Sequence, residues 1–287
     1  MHEDSIAVSV DELDDTQGAR PVQPRSLIVT IYGIYARDVG GWLSVAALIR
    51  LMGALGVDEP AVRSSISRLK RRGILVAERH AGSAGYALSE NGRAILREGD
   101  RRIFDRRAAQ PDDGWVLAIF SVPESRRAHR HTLRSRLAWL GFGTVAPGVW
   151  VAPGHLADEA RDVLVRLGLA DYVDLFDARY LAFADLRDEI GRWWNLEQLQ
   201  QSYAAYLDAW QPVLDRWRAA ESVDAQAAFS DYAYTLTAWR RLPYLDPGLP
   251  TELLPAEWKG AAAAELFFEL RERLAGPARS YLDSATP

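Results

Sequence analysis

The stretch Val57–Leu88, VDEPAVRSSISRLKRRGILVAERHAGSAGYAL, decides how this chain is read. It predicts a helix, then two strands around a tight loop. Asp58 suits an N-cap, Glu59 and Pro60 suit the first turn, and Gly73 suits the position just past a helix end. Val62, Ile66 and Leu69 recur at i, i+4 and i+7, so they form one narrow apolar stripe. At about 100° per residue, Arg63, Ser64, Ser67, Arg68 and Arg71 fall on the opposite side. A cationic face with short hydroxyls is what a helix needs to lie in a DNA major groove, where arginine bridges guanine edges or phosphates. After Gly73, Ile74–His80 and Tyr86–Leu88 read as strands flanking a Gly/Ser loop, Ala81–Gly85. The bland alternative is an amphipathic helix whose arginines are simply solvated.

The residues before this stretch favour the first reading. Ser44 caps an apolar run, Val45, Leu48, Ile49, Met52 and Leu55, and Gly56 leads directly to Asp58. Helix, short glycine turn, basic helix and ribbon is the order of a winged helix-turn-helix. A further helix is expected over Arg25–Arg37, with Leu27, Ile31, Ile34 and Tyr35 inward. Asp38–Trp42 is expected to be a turn. Beyond the ribbon, Ser89 caps SENGRAILREGDRRIFDRR, which carries Arg93, Arg97, Arg101, Arg102, Arg106 and Arg107.

The 287 residues suffice for two or three domains, and 48% hydrophobic with 25% charged residues is an ordinary globular balance. No apolar run reaches about 18 residues, the length that would predict a membrane span. The acidic N-terminus does not resemble a signal peptide, and the absence of cysteine excludes disulfides and thiolate metal sites. A cytoplasmic protein is expected. The net charge is −5, yet Arg25–Arg107 holds 15 basic against 8 acidic residues. A local positive footprint matters more to nucleic acid than the total.

The remaining chain divides by pattern. Residues 1–24 read as a disordered acidic tail, and residues 25–108 as the DNA-binding domain. Within 109–184, Trp115–Val122 is a strand, Glu124–Leu140 a basic helix, and Phe142–Ala152 a hairpin turning at Pro147-Gly148. A helix over His155–Gly168 and a strand over Tyr172–Phe183 complete a β-α-β-β-α-β order, that of a ferredoxin-like sandwich. Such folds often pair through their sheets, so a homodimer is expected by fold analogy. Residues 185–287 read as a helical C-terminal domain. Its aromatic helices include Pro212 as a kink and Asp224–Arg241 as one helix. A proline-rich extended segment and a closing helix, Glu257–Leu274, follow. The whole is a multidomain α+β protein. Aromatic stripes at helical spacing are core in most proteins, and a ligand pocket is the alternative.

Enzyme motifs are missing: there is no G-x-S-x-G, Walker loop or H-E-x-x-H. His129 and His131, two apart on a helix, point to different faces and do not chelate together. No metal and no cofactor are expected.

Three segments together resemble the PaaX-type transcriptional repressors of bacterial phenylacetate catabolism. They are PRSLIVTIYG with AVRSSISRLKRRGIL, then WVLAIFSVPESRRAHRHTLRSRLAWLGFGTVAPGVWVAP, then RLPYLDPGLPTELLPAEWKG. The resemblance covers about residues 25–275. It implies a winged-helix domain, a ferredoxin-like dimerisation domain similar to small CRISPR-associated nucleases, and a helical C-terminal domain. It also implies a dimer on a double-stranded DNA operator, released by an aryl-acyl-CoA such as phenylacetyl-CoA. On this reading Arg63, Ser64 and Ser67 lie nearest the bases, while Arg68, Lys70, Arg71, Arg79, His80 and Ser83 hold phosphates or the minor groove. A CoA thioester needs cations and an aromatic slot, for which Arg192, Trp193, Trp194, Tyr203, Arg240 and Trp258 are the candidates. A nuclease would want a carboxylate at the end of the first central strand. That strand ends Phe120-Ser121-Val122-Pro123, and Asp112 and Asp113 precede it. The alternative from another class is a CoA-dependent catabolic enzyme with a winged-helix appendage.

Overall fold

Helix α1 (Pro24–Ile34) begins with proline in its first turn, where the missing N–H costs no hydrogen bond. Leu27, Ile28, Ile31 and Tyr32 are fully buried, and Arg25, Ser26, Val29 and Thr30 are nearly so. A helix apolar all round must be covered all round. The residues that do so belong to α3 (Glu59–Arg71) on one side and α9 (Ala225–Trp239) on the other. The hydroxyls of Thr30 and Thr237 meet at 2.7 Å inside that contact. The helix stops at Ile34, short of the expected Arg37. A 3-10 turn, Ala36–Val39, follows, and Ile34 is only half-buried.

The computed structural model describes residues 22–105, 107–181 and 183–286. Most of the expected acidic tail, and Arg106, lie outside the described residues. The fold is mixed α+β, in two compact units. One holds Phe104–Tyr203 and Leu242–Gly260; the other holds the described chain up to Ile103, with Ala204–Arg241 and the residues from Ala261 onward. Neither unit is one contiguous stretch, unlike the divisions that pattern alone suggests.

In the second unit, α2 (Val45–Ala54) starts where expected: the Ser44 side chain accepts the Ala47 N–H at 3.0 Å. Trp42, expected in a turn, instead begins β1 (Trp42–Ser44), which pairs with β3 (Ser83–Leu88). With β2 (Leu75–His80) this makes a three-stranded antiparallel sheet, order β1-β3-β2. The β2–β3 loop is also tighter than expected. His80 pairs with Ser83, leaving only Ala81 and Gly82 in the turn. Both have positive φ, 47° and 84°, as a two-residue type I′ turn requires. Tyr32 donates its hydroxyl to the Tyr86 carbonyl at 2.7 Å, tying α1 to β3. Burial pushes the Tyr32 phenol well above its ordinary pKa, so it remains a donor. Helix α4 (Glu90–Phe104) follows, with Ser89 accepting the Gly92 N–H at 2.9 Å.

In the first unit the elements run β4 (Trp115–Phe120), α5 (Arg127–Trp139), β5 (Gly143–Ala146), β6 (Val149–Pro153), α6 (Ala157–Arg166) and β7 (Val173–Ala178). Their sheet is antiparallel throughout, order β5-β6-β4-β7. Val116 and Ala118 of β4 pair with Ala152 and Trp150 of β6 and are buried on one face. Gly148, at φ 81°, turns the β5–β6 hairpin.

The C-terminal helices are α7 (Leu186–Trp193), α8 (Leu196–Ala219), α9, α10 (Leu242–Leu245) and α11 (Gly260–Ala285). Helix α8 continues through Pro212, and α11 starts later and runs further than the expected Glu257–Leu274, through Pro277. Asp224 caps α9, accepting the N–H groups of Gln226 and Ala227. Two side chains of α9 hold the turn after α2: Ser230 donates to the Ala54 carbonyl at 3.2 Å and Tyr234 to the Leu55 carbonyl at 2.7 Å.

Gly85 lets β3 approach β1: a Cβ there would collide with the Trp42 indole and the Leu43 carbonyl. Gly85→Ala is therefore expected to cost about 1–3 kcal/mol, as overpacking does, and to lower Tm by several degrees in a thermal melt.

Candidate nucleic-acid interface

Helix α3 is built by its own sequence. Asp58 accepts the Ala61 N–H at 2.7 Å, and Glu59 in the first turn with Arg68, Lys70 and Arg71 in the last complements the helix dipole. The buried side carries Val62, Ser65, Ile66 and Leu69. Arg63, Ser64, Ser67, Arg68, Lys70 and Arg71 are all exposed, on the other side. The expected division into stripe and cationic face is what the structure shows.

Within that face the cations differ. Arg63 is paired with Glu59 four residues earlier, its Nη2 2.6 Å from the carboxylate. The Lys70 ammonium lies 5.7 Å from the centre of the Tyr86 ring. Arg68 and Arg71 make no side-chain hydrogen bond or ion pair among the described residues. They carry charge into solvent with nothing to neutralise it.

The hairpin stands beside this helix, and after Leu75 every residue of β2 is exposed. Arg79 donates to the Gly82 carbonyl at 2.8 Å. Ser83 sits in the strand next to the turn rather than in the loop. His80 is stacked on Trp42, ring centres 4.6 Å apart, and lies 2.5 Å from the Glu78 carboxylate. Both contacts went unseen in the sequence. The signal available was Gly40-Gly41 ahead of Trp-Leu-Ser, two glycines at positive φ delivering a short alternating strand. In α4, Arg102 is buried, Arg97 is paired with Glu90 at 3.1 Å, and Arg101 remains exposed.

The six residues nominated for an effector are divided between the two units. Arg240 is buried in one unit; the other five belong to the other. Arg192 is paired with Glu189 at 2.6 Å. Trp193 and Trp194 pack with Trp115 around a cluster containing Val151, Ile190 and Leu249. The Trp194 N–H is bonded to the Gly141 carbonyl at 2.9 Å and the Tyr203 hydroxyl to Asp246 at 2.7 Å. Trp258 packs edge-on to Tyr203, ring centres 5.6 Å apart. Trp194 and Tyr203 are core, with their polar atoms bonded, while Trp193 and Trp258 are half-buried against them. Asp113 is likewise structural: the Gln110 backbone N–H, with Arg107 beside it, holds its carboxyl below the usual carboxylate range. Among the described residues no group of three or more His, Asp or Glu side chains could hold a metal ion, and no helix is long and apolar enough to cross a membrane.

A chain 30% identical over 273 residues, covering 92% of this chain and 84% of its own length, is the transcriptional repressor PaaX of Escherichia coli (strain K12). This chain belongs to the PaaX family. Three family descriptions match successive PaaX segments: PaaX-like protein at residues 23–92, the PaaX central Cas2-like domain at 108–190, and the PaaX-like C-terminal domain at 194–284. Uncharacterized protein Rv0674 from Mycobacterium tuberculosis is similar in structure, with a TM-score of 0.58 at 26% identity, over 92% of this chain and all of that one. The α3–hairpin region lies wholly inside the first of the three PaaX segments.

Because the Asp58 cap satisfies an otherwise orphaned N–H of α3, Asp58→Ala should cost about 1 kcal/mol in urea unfolding. Faster amide exchange at Ala61 and its neighbours would locate the loss in the first turn.

Proposed function

We propose that this chain is a DNA-binding transcriptional repressor of an aromatic-acid catabolic operon, working in the cytoplasm as a homodimer. The observation that carries the reading is the exposed cationic face of α3, opposite a buried apolar stripe and beside a protruding hairpin. In this reading residues 25–108 form a winged helix-turn-helix: α2 and α3 are its two helices, α3 is the recognition helix and the β2–β3 hairpin is the wing. The E. coli relative is a repressor, which favours a regulator over an enzyme.

Arg63, Ser64 and Ser67 are nearest the N-terminal part of α3 and read base edges. Arg68, Lys70 and Arg71 hold phosphates, and Arg79, His80 and Ser83 bring the wing to the adjoining groove. Glu59 holds Arg63 in place until a base edge or phosphate replaces its carboxylate. Residues 109–184 are proposed as a ferredoxin-like dimerisation domain; the strand order β5-β6-β4-β7 supports this. Residues 185–287 are read as a helical C-terminal domain. Release by an aryl-acyl-CoA is part of the same reading and is supported by the family resemblance. The ligand must prefer the DNA-incompetent state, because equal affinity for both states shifts nothing.

The test is fluorescence anisotropy on DNA from upstream of the protein's own gene, with and without aryl-CoA thioesters and their free acids. Arg63→Ala is expected to lose about 1–3 kcal/mol of discrimination between operator and random DNA. Arg71→Ala should weaken both alike and reduce the salt slope by about one. Operator binding by Arg63→Ala equal to the parent's would overturn the docking. Binding that ignores every thioester would remove the effector from the account and leave the DNA interface standing.

A further inference from the structure

A cleft of about 600 Å³ lies between α5 and the β5–β6 hairpin, over the end of β4. Its volume falls within the range of small-molecule sites. Phe120, Val122, Val145 and Pro147 give it an apolar lining, and Arg130 and Arg134 of α5 supply its charge. No acidic side chain lines it among the described residues.

Two of its polar groups make no hydrogen bond among the described residues. Trp150 lines the cleft and is only 6% exposed; its indole N–H makes no hydrogen bond among the described residues and is not one of the buried polar atoms without a partner, so it reaches solvent. An accessible indole N–H set in an otherwise apolar lining is a donor that a ligand can use in place of water. Trp194, in the same unit, instead bonds its N–H to a backbone carbonyl. The Arg134 guanidinium, exposed at the cleft, also makes no hydrogen bond or ion pair among the described residues. Arg130 differs: it bonds to the Val122 carbonyl at 2.8 Å and pairs with Glu124 at 3.2 Å.

We propose that this cleft binds a small organic carboxylate with a flat apolar body. One uncommitted guanidinium suits one planar anion, which it can hold through two parallel N–H bonds. Arg130 is already neutralised by Glu124, so the cleft does not offer the several free cations that a polyphosphate would need. The Trp150 N–H supplies a neutral donor inside the apolar part, and Phe120, Val145 and Pro147 accept the flat body. The site is separate from the aromatic cluster of Trp193 and Trp194, and the proposal does not depend on the DNA reading.

Isothermal titration of the full-length chain with 2-naphthoate tests it. One site per chain is expected, with the neutral 2-naphthylmethanol binding at least about tenfold more weakly, because the charged hydrogen bond is lost. Arg134→Gln should weaken naphthoate by about tenfold or more, and Trp150→Phe, which keeps an aromatic ring but no N–H, by about threefold or more. Arg127→Gln, an exposed cation of the same helix that does not line the cleft, should bind like the parent. No binding by the folded parent would overturn the proposal. So would equal affinity for acid and alcohol, unchanged binding in both cleft variants, or an equal loss in Arg127→Gln.

Discussion

The burial of α1 is the constraint on which the DNA-facing unit depends. An eleven-residue helix with almost no polar face cannot stand at a surface, so it must be enclosed by other elements. Helix α3 covers one side with Val62, Ile66 and Leu69, and that contact turns its arginines outward. Helix α9 covers another, and Ser230 and Tyr234 of α9 hold the turn that sets how α3 follows α2. The basic face is therefore a by-product of where the apolar residues had to go. A change inside the α1–α9 contact, such as at the Thr30–Thr237 pair, would be felt at the outer face of α3.

This dependence also marks how far the sequence is legible. The caps at Ser44, Asp58 and Ser89, the stripe of α3 and the hairpin turn at Gly148 follow from local rules, and each stands where those rules put it. The cover that α9 gives α1 comes from residues some two hundred positions later, and a local pattern carries no record of such a partner. Trp42 was misplaced for a similar reason. Three residues are too few to show an alternation, and β1 exists because β3 offers it an edge that Gly85 leaves open.

The candidate site was legible to different depths. All the nominated α3 and hairpin residues are exposed, because a helix and a hairpin determine facing from spacing alone. The pairings of Arg63 with Glu59 and His80 with Trp42 needed coordinates. The aromatic residues nominated for an effector stand out by composition alone, and in the structure Trp194 and Tyr203 are packed in the core with their polar atoms bonded. Composition cannot tell a ring that lines a cavity from one that fills a core. The Trp150 cleft shows the converse: a ring with nothing distinctive in its sequence context lines a cavity because of its position on β6.

Charge unites these parts. A chain of net −5 approaches DNA only through a surface that departs from its average, and Arg25–Arg107 is where the basic excess lies. The most direct test of that claim is hydrogen–deuterium exchange of the full-length protein with and without its upstream DNA. The account predicts protection concentrated in residues 59–72 and at the tip of the β2–β3 hairpin. Protection confined to the basic helix α5, with α3 exchanging as in the free protein, would contradict it.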